Sequence, residues 1–201
     1  MWLGILVVII LGYILINTLQ TEGPGSNGPK VGSVLPPFAM PLVLSDLDGD
    51  ANVARKADQG RAGKVPACTV RGPKVLNSCD LADQHPVVLG FLFTRGASCN
   101  GSFDTLQRVA DAHPDVSVAG VIVRGDRDDA RKLVRDKHWT FPIGFDHDGA
   151  VANIYGIAGC PEVVLAMAGG RVAETLAGRD RAERGLAERV NSLLSSARSS
   201  S

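Results

Sequence analysis

Neither charge nor aromatic side chains dominate this sequence. Its 201 residues carry 21 basic and 21 acidic side chains, and aromatic residues make up 5% of the chain. The charge balance excludes the basic surface on which nucleic-acid binding depends, and so few aromatic side chains exclude a stacking platform for single strands. There is no internal repeat, and about 150–165 residues remain once both ends are set aside, which is the size of one domain.

Charge is absent altogether from the first stretch of the chain. Residues 2–19 contain no charged side chain, and at 1.5 Å rise per residue they span roughly 27 Å, just enough for the hydrocarbon core of a membrane. We expect an uncleaved transmembrane anchor over residues 1–20, because a signal peptide would have a basic start and an Ala-x-Ala site before Gly23, and this sequence has neither. Residues 21–30 are rich in Gly and Pro and predict a flexible tether.

The sequence indicates less clearly on which side of the membrane the domain lies. The first basic residue is Lys30, so the positive-inside rule has little to act on near the anchor. Glu22 and the use of four cysteines favour a domain outside the cytoplasm, where disulfides persist. The expectation is a single-pass protein of the cell membrane with an extracytoplasmic domain.

Strand and helix patterns alternate through the second half of the sequence. Continuous apolar runs predict strands that are buried on both faces. The predicted strands are 86–93, 116–123, 140–146, 162–167 and 172–178, and the predicted helices are 102–113, 126–138, 149–157 and 181–197. This order predicts an α/β fold, in which helices cover both faces of a mainly parallel sheet that ends in an antiparallel hairpin.

The domain is expected to span residues 31–198. Residues 31–50 predict a short edge strand interrupted by prolines, and residues 51–85 predict a loop insertion. Cys68 and Cys79 lie in this insertion and enclose ten residues. A structural disulfide that fastens the loop is the simplest interpretation. A second redox pair, or a relay to another cysteine, is the alternative, since four cysteines allow three pairings.

Cys99 lies where a buried strand turns into a helix. A thiol at the N-terminus of a helix faces the positive end of the helix dipole, which favours the reactive thiolate. Active sites of α/β sheets also gather at the carboxyl ends of the strands, where Cys99 is expected. The remaining cysteine, Cys160, directly precedes Pro161.

Two stretches of the sequence resemble a known family. They are PVVLGFLFTRGASCNGSF and FPIGFDHDGAVANIYGIAGCPEVVLAMAGGRV, and the second is the more specific. The chain resembles the thioredoxin fold and, within it, the membrane-anchored TlpA/ResA-like thiol–disulfide oxidoreductases of bacteria, in the AhpC/TSA redoxin superfamily. The resemblance covers residues 85–180 and the strand near 34–44. It implies a thioredoxin-like sheet and a cis peptide bond before Pro161, against the active-site thiol.

The sequence departs from this family at the central motif. Residues 99–102 read CNGS where the family has C-x-x-C, so the motif cannot close a disulfide within itself. The resemblance places Cys160 beside Cys99, which implies that Cys99 is the nucleophile and Cys160 the resolving cysteine. Ser102, Pro161 and Arg95 are expected to shape this site. The alternative is that Cys160 is a small buried thiol that packs the strand.

Two other functions stay open. A peroxiredoxin-like thiol peroxidase would have a Thr three residues before its reactive cysteine and a Pro seven before, where this sequence has Gly96 and Leu92, although Arg95 could still stabilise the thiolate. A redox-silent thioredoxin-like binding module would keep Cys99 buried and unreactive.

Protein thiols or disulfides are the expected substrates, together with a redox partner in or outside the membrane and no nucleic acid. No cofactor is expected. No metal is expected either, because no histidine lies at ligand spacing from Cys99 or Cys160. Glu162, directly after Pro161, is expected to border the substrate groove.

Overall fold

The computed structural model describes Ile10, residues 28–94 and residues 99–199. The predicted transmembrane anchor apart from Ile10, most of the tether, and Arg95 lie outside these residues. Within the described part of the chain, no helix is both long and apolar enough to cross a membrane.

The described elements follow the predicted alternation of strands and helices from residue 87 onward. In chain order they are β1 (Ala39–Pro41), β2 (Val75–Asn77), α1 (Ser78–Ala82), β3 (Val87–Phe93), α2 (Asn100–Ala112), β4 (Ser117–Val123), α3 (Arg127–Asp136), β5 (Ile143–Asp146), α4 (Ala150–Ile154), β6 (Glu162–Ala166), β7 (Val172–Ala177) and α5 (Leu186–Ser199). Short 3-10 turns at Gly60–Ala62 and Ala67–Thr69 precede β2, and a π-helical turn at Asp180–Arg184 precedes α5.

A five-stranded sheet forms the centre of the domain, in the order β5-β4-β3-β6-β7. Strands β3, β4 and β5 are parallel, whereas β6 and β7 form an antiparallel hairpin at the other edge. The predicted antiparallel hairpin is therefore confirmed, whereas the sheet is mixed and not mainly parallel, because β6 also runs antiparallel to its other neighbour, β3. The apolar runs of β3 and β4 are buried almost throughout, because helices or loops cover both faces of the sheet.

The direction in which the chain crosses the sheet decides which face each helix covers. The connections β3–α2–β4 and β4–α3–β5 step the same way, so right-handed crossovers place α2 and α3 on one face, where α5 joins them. The connection through α4 steps back across the sheet to β6, and α4 lies on the opposite face with β1 and β2. Strand β3 lies where these directions diverge, which is the switch point at which such sheets place their sites.

Two paired glycines bring α2 close to the sheet. Gly90 of β3 lies opposite Gly120 of β4. A Cβ atom on Gly90 would collide with Leu106, and one on Gly120 would collide with Phe103, both on α2. The absence of these side chains lets α2 pack Phe103 and Leu106 fully into the core.

The N-terminal part of the domain differs from the sequence-based prediction. Strand β1 is not an edge strand of the main sheet: it pairs with β2 in a separate two-stranded sheet, and a single bridge from Leu42 to Gly144 links it to β5. The prolines at 36, 37 and 41 lack the N–H groups that a longer ladder would require. Residues 51–85 contain β2 and α1 as well as loops, and the helix predicted at 181–197 is preceded by a separate π-helical turn.

Candidate active site

Cys99 lies beyond the carboxyl end of β3 and is the residue that precedes the first turn of α2. The Ser102 hydroxyl donates a hydrogen bond of 2.7 Å to the Cys99 carbonyl oxygen, and the Ser102 N–H approaches the same oxygen at 3.1 Å. Both Cys99 and Ser102 are buried, with 2% and 1% of their surface exposed. Ser102 therefore fixes the first turn of α2 through its hydroxyl, where the related motif has a second thiol.

Cys160 reaches the same point from the neighbouring strand, because β6 runs antiparallel to β3 and begins where β3 ends. It lies in the loop that enters β6, the Cys160–Pro161 peptide bond is cis, and Cys99 and Cys160 are joined by a disulfide with a Cα–Cα distance of 5.9 Å. That distance falls within the range that a disulfide requires. The arrangement brings together Cys99, Ser102, Cys160 and Pro161, whereas Arg95 falls outside the described residues.

Glu162 is a buried acid beside this loop. Only 3% of the residue is exposed, and it lies opposite Phe91 in the sheet. Alternation along β6 points its side chain to the face of Val164, away from α2. Burial raises the pKa of Glu162 to about 7, although the N–H groups of Ala158 and Gly159 donate to its carboxylate. The Glu162 carboxylate thus anchors the loop that carries Cys160, on the face of the sheet opposite α2.

Comparisons with known proteins rest on solved structures. No protein-family model matches the chain, and no curated protein matches it. A proposed thiol:disulfide interchange protein, DsbE, from Chlorobium tepidum aligns over 82% of this chain and 98% of its own, with 20% identity and a TM-score of 0.62. DsbF of Mycobacterium tuberculosis, solved in mixed oxidised and reduced forms, aligns over 59% and 87%, with 26% identity and a TM-score of 0.53.

The C-terminal domain of a proposed thiol–disulfide oxidoreductase from Bacteroides thetaiotaomicron aligns over 83% of this chain and 97% of its own, with 13% identity and a TM-score of 0.58. The chain has a thioredoxin-like fold. Its structural neighbours are thioredoxin-like thiol–disulfide oxidoreductases, which confirms the resemblance seen in the sequence and supports a thiol–disulfide redox function in general terms.

A second acid approaches the start of α2 in this thioredoxin-like domain. A Cβ atom built on Gly101 would lie 3.0 Å from both carboxylate oxygens of Glu183, so Glu183 packs directly against the first turn of α2. Its side chain is 18% exposed, and Arg179 Nε lies 3.9 Å from one carboxylate oxygen. The sequence did not predict this contact, because Glu183 is one of several charged residues in a segment that the pattern predicts to be a solvent-exposed helix.

The other disulfide joins Cys68 to Cys79, with a Cα–Cα distance of 5.5 Å. The Asn77 side chain, buried between the two segments, accepts hydrogen bonds from the N–H groups of Cys79 and Asp80. The Asn77 amide also donates to the carbonyl oxygens of Ala67 and Val70. The covalent bond and the amide side chain therefore fasten the same loop to α1, which favours a structural role.

The thioredoxin-like core also contains an acid that the sequence-based analysis overlooked. Asp146, at the end of β5, is completely buried, and its carboxylate accepts N–H bonds from Val151 and Ala152 at the start of α4. Burial raises its pKa. Asp104, by contrast, is partly exposed and accepts hydrogen bonds from Trp139 and Lys137. The buried acid beside the site is therefore Glu162 at the start of β6, whereas Asp146 fixes the start of α4.

Proposed function

We propose that this chain is a membrane-tethered thiol–disulfide oxidoreductase that exchanges disulfides with protein thiols through Cys99 and Cys160, outside the cytoplasm. The observation that carries the proposal is the Cys99–Cys160 bridge, at the start of α2 and beside Pro161. The general redox function is supported by the solved neighbours. The pairing, the membrane tether and the location of the domain are the parts that need experiments.

The chemistry of the proposed reaction needs no cofactor. A substrate thiolate attacks one sulfur of the Cys99–Cys160 bond, which forms a mixed disulfide and releases the other cysteine as a thiolate. A second substrate thiolate then attacks the substrate's own sulfur and releases the remaining cysteine. Two electrons pass from the substrate to the pair, and the protons of the two substrate thiols go to the new cysteine thiols or to solvent. The same steps in reverse reduce a substrate disulfide.

A polar groove beside the site offers a place for a substrate segment. It has a volume of about 520 Å³ and extends from the carboxyl ends of β3 and β4, at Phe93 and Val123, to Ala158 in the loop before Cys160. Its polar lining includes the side chains of Arg124, Asp148 and Asn153. Backbone and polar side chains of an extended peptide could bind there while its cysteine reaches the disulfide.

A redox titration of the full chain in a mild detergent tests the exchange function. The protein is equilibrated with glutathione at a series of oxidised-to-reduced ratios, quenched, alkylated and mapped by peptide mass spectrometry. We expect Cys99–Cys160 to open at an intermediate ratio while Cys68–Cys79 stays closed, and a Cys68→Ala/Cys79→Ala variant to give the same midpoint. If Cys99 and Cys160 fail to pair even under strong oxidant, the proposal is wrong.

The tether and the location require their own measurement. In intact cells, a membrane-impermeant maleimide applied after mild reduction should label the cysteines of an extracytoplasmic domain, and alkaline carbonate should leave the chain with the membranes. Labelling only after the cells are broken would place the domain in the cytoplasm.

The burial of Cys99 favours one alternative, a redox-silent binding module. In that case both glutathione and the stronger reductant dithiothreitol would leave the cysteines of the folded chain unchanged. The same experiment, extended to dithiothreitol, therefore separates the enzyme from the module.

A further inference from the structure

The two cysteines of the candidate active site differ in their exposure to solvent. Cys99 is 2% exposed and packs in the core cluster that contains Phe103 and Leu106 of α2. Cys160 is partly exposed, at the edge of the same cluster, and follows the exposed residues Ala158 and Gly159. A substrate sulfur arriving from solvent therefore meets Cys160 first.

The position of Cys99 suits it to be the cysteine that departs as a thiolate. Exchange is faster when the departing thiol is stable as a thiolate, and it also depends on which sulfur the attacking group can reach. Cys99 precedes the first turn of the 13-residue helix α2, and the helix dipole favours a negative charge there. Access therefore decides the order of attack: the more exposed Cys160 is the better target, and the buried Cys99 at the start of α2 is the thiolate that is released.

We propose that Cys160, and not Cys99, is the cysteine that forms the mixed disulfide with the substrate. This inference rests on the proposed function and reverses the order that the resemblance implies, in which Cys99 attacks and Cys160 resolves. In this chain the more exposed cysteine is the residue before Pro161, not the one at the start of α2.

The reaction then has a defined path. A substrate thiolate attacks Cys160 Sγ, the bond between the two cysteines breaks, and Cys99 leaves as the thiolate at the start of α2. The second substrate thiolate attacks the substrate sulfur bound to Cys160, which leaves an oxidised substrate and two reduced cysteines. In the reducing direction, Cys160 attacks the substrate disulfide and Cys99 resolves the mixed disulfide.

Trapping the intermediate of the full chain tests the order directly. The oxidised protein in detergent is mixed briefly with reduced glutathione and precipitated with acid to stop exchange. Free thiols are then blocked with excess N-ethylmaleimide in neutral denaturant, and the peptides are mapped by mass spectrometry. We expect glutathione on Cys160 and maleimide on Cys99, by at least tenfold over the opposite pattern. Glutathione mainly on Cys99, or on both alike, would overturn the inference. Cys68 and Cys79 should carry neither group and serve as the internal control.

Single-cysteine variants give a second measurement that does not depend on trapping. Cys160 in the Cys99→Ala variant and Cys99 in the Cys160→Ala variant are each treated with oxidised glutathione, at a pH high enough to ionise both thiols. We expect Cys160 to acquire glutathione at least tenfold faster, because access then sets the rate. Equal rates, or a faster Cys99, would contradict the proposed order.

The two experiments separate this inference from the proposed function. If the wild-type pair exchanges with glutathione but the intermediate carries it on Cys99, the order is wrong and the function stands. If neither glutathione nor the stronger reductant dithiothreitol opens the wild-type bridge in the folded chain, the function is wrong, whatever the single-cysteine rates show.

Discussion

Glu162 is a buried acid that accepts hydrogen bonds from the loop that carries Cys160. In the folded chain its pKa is about 7, whereas the ordinary value is 4.5. Between these two pH values the unfolded chain has released the proton and the folded chain still holds it. The stability of the fold therefore falls as the pH rises from 4.5 towards 7, and the full penalty is present above pH 7.

We predict that Glu162→Gln removes this penalty. The variant and the wild type should be equally stable near pH 4, and the variant should be more stable at pH 8 by on the order of 2 kcal/mol. Urea unfolding at both pH values measures the difference. Glu188→Gln, on the exposed side of α5, is the matched control and should change neither value. Asp146, whose pKa is also raised, should keep a residual slope in every variant; an unchanged slope in Glu162→Gln would contradict the assignment.

Glu183 is expected to act on Cys99 through space. Its carboxylate lies against Gly101 in the first turn of α2, where a negative charge opposes the thiolate of reduced Cys99. We predict that Glu183→Gln stabilises the reduced pair and shifts its equilibrium with glutathione about three- to tenfold towards the dithiol.

The control for Glu183 is Asp180→Asn. Asp180 lies in the same π-helical turn, but its carboxylate is 78% exposed and bonds Arg184. The two variants lose the same charge at different places, so only Glu183→Gln should move the equilibrium. Equal effects would mean that net charge, not the contact with Gly101, is responsible.

At the residue scale, the sequence predicted the cysteines of the site and marked Glu162 beside them, but it did not predict Glu183 or Asp146. Cys99 and Pro161 were found because a strand-to-helix turn and a family segment mark them locally. Glu183 was missed because it reaches Gly101 across 82 positions of the chain, a distance over which no periodic pattern carries information. Asp146 was missed because an acid after a strand usually faces solvent, and only the fold turns this one inward to the start of α4.

Among the elements, those with long uniform patterns were predicted best. Strands β3 and β4 are continuous apolar runs, and α3 begins with acids that complement its dipole, of which Asp126 accepts N–H bonds from Asp128 and Asp129. The short pieces β2 and α1 were not predicted, since three and five residues hold too little periodicity. The edge-strand prediction for β1 failed because its partner was one of these unseen pieces.

The Cys68–Cys79 loop is an element whose role can be decided by removing its disulfide. Eleven positions separate the two cysteines, and loop closure of that length stabilises the fold by about 3 kcal/mol at most. We predict that Cys68→Ala/Cys79→Ala lowers the free energy of unfolding by up to that amount, less whatever Asn77 and its four hydrogen bonds retain.

Exchange measurements on this double variant distinguish a staple from a relay. A structural staple predicts that the rate of disulfide exchange at 25 °C stays within twofold of the wild type. Loss of exchange with a protein substrate, while exchange with glutathione persists, would instead indicate that Cys68 and Cys79 pass electrons to the main pair.

At the scale of the whole molecule, the main bridge ties together the two halves of the sheet. Cys99 follows β3, Cys160 precedes β6, and 61 positions separate them. The loop thus enclosed contains α2, β4, α3, β5 and α4, which means that most of the parallel half of the sheet is closed off by one bond. Opening the bridge should leave the sheet intact, because β3 and β6 remain hydrogen bonded to each other.

We predict that the oxidised chain is more stable than the Cys160→Ala variant by up to about 4 kcal/mol, the loop-closure value for this separation. Urea unfolding followed by Trp139 fluorescence measures it, in a Trp2→Phe background so that one tryptophan reports. Cys99→Ala is the matched comparison, and it should lose more, because Cys99 also fills the core beneath α2.

The effect of the bridge on stability also indicates whether the pair reduces or oxidises its substrates. If the bridge stabilises the fold, the fold stabilises the bridge by the same free energy, since both lie on one thermodynamic cycle. A large difference between the oxidised and the reduced wild type, measured in the same way, therefore makes the folded pair harder to reduce than the same cysteines in an unfolded chain, which favours a reductant of substrate disulfides. Equal stability of the oxidised and open forms would contradict the prediction. It would mean that folding gives the bridge no protection, and would favour a pair that oxidises its substrates.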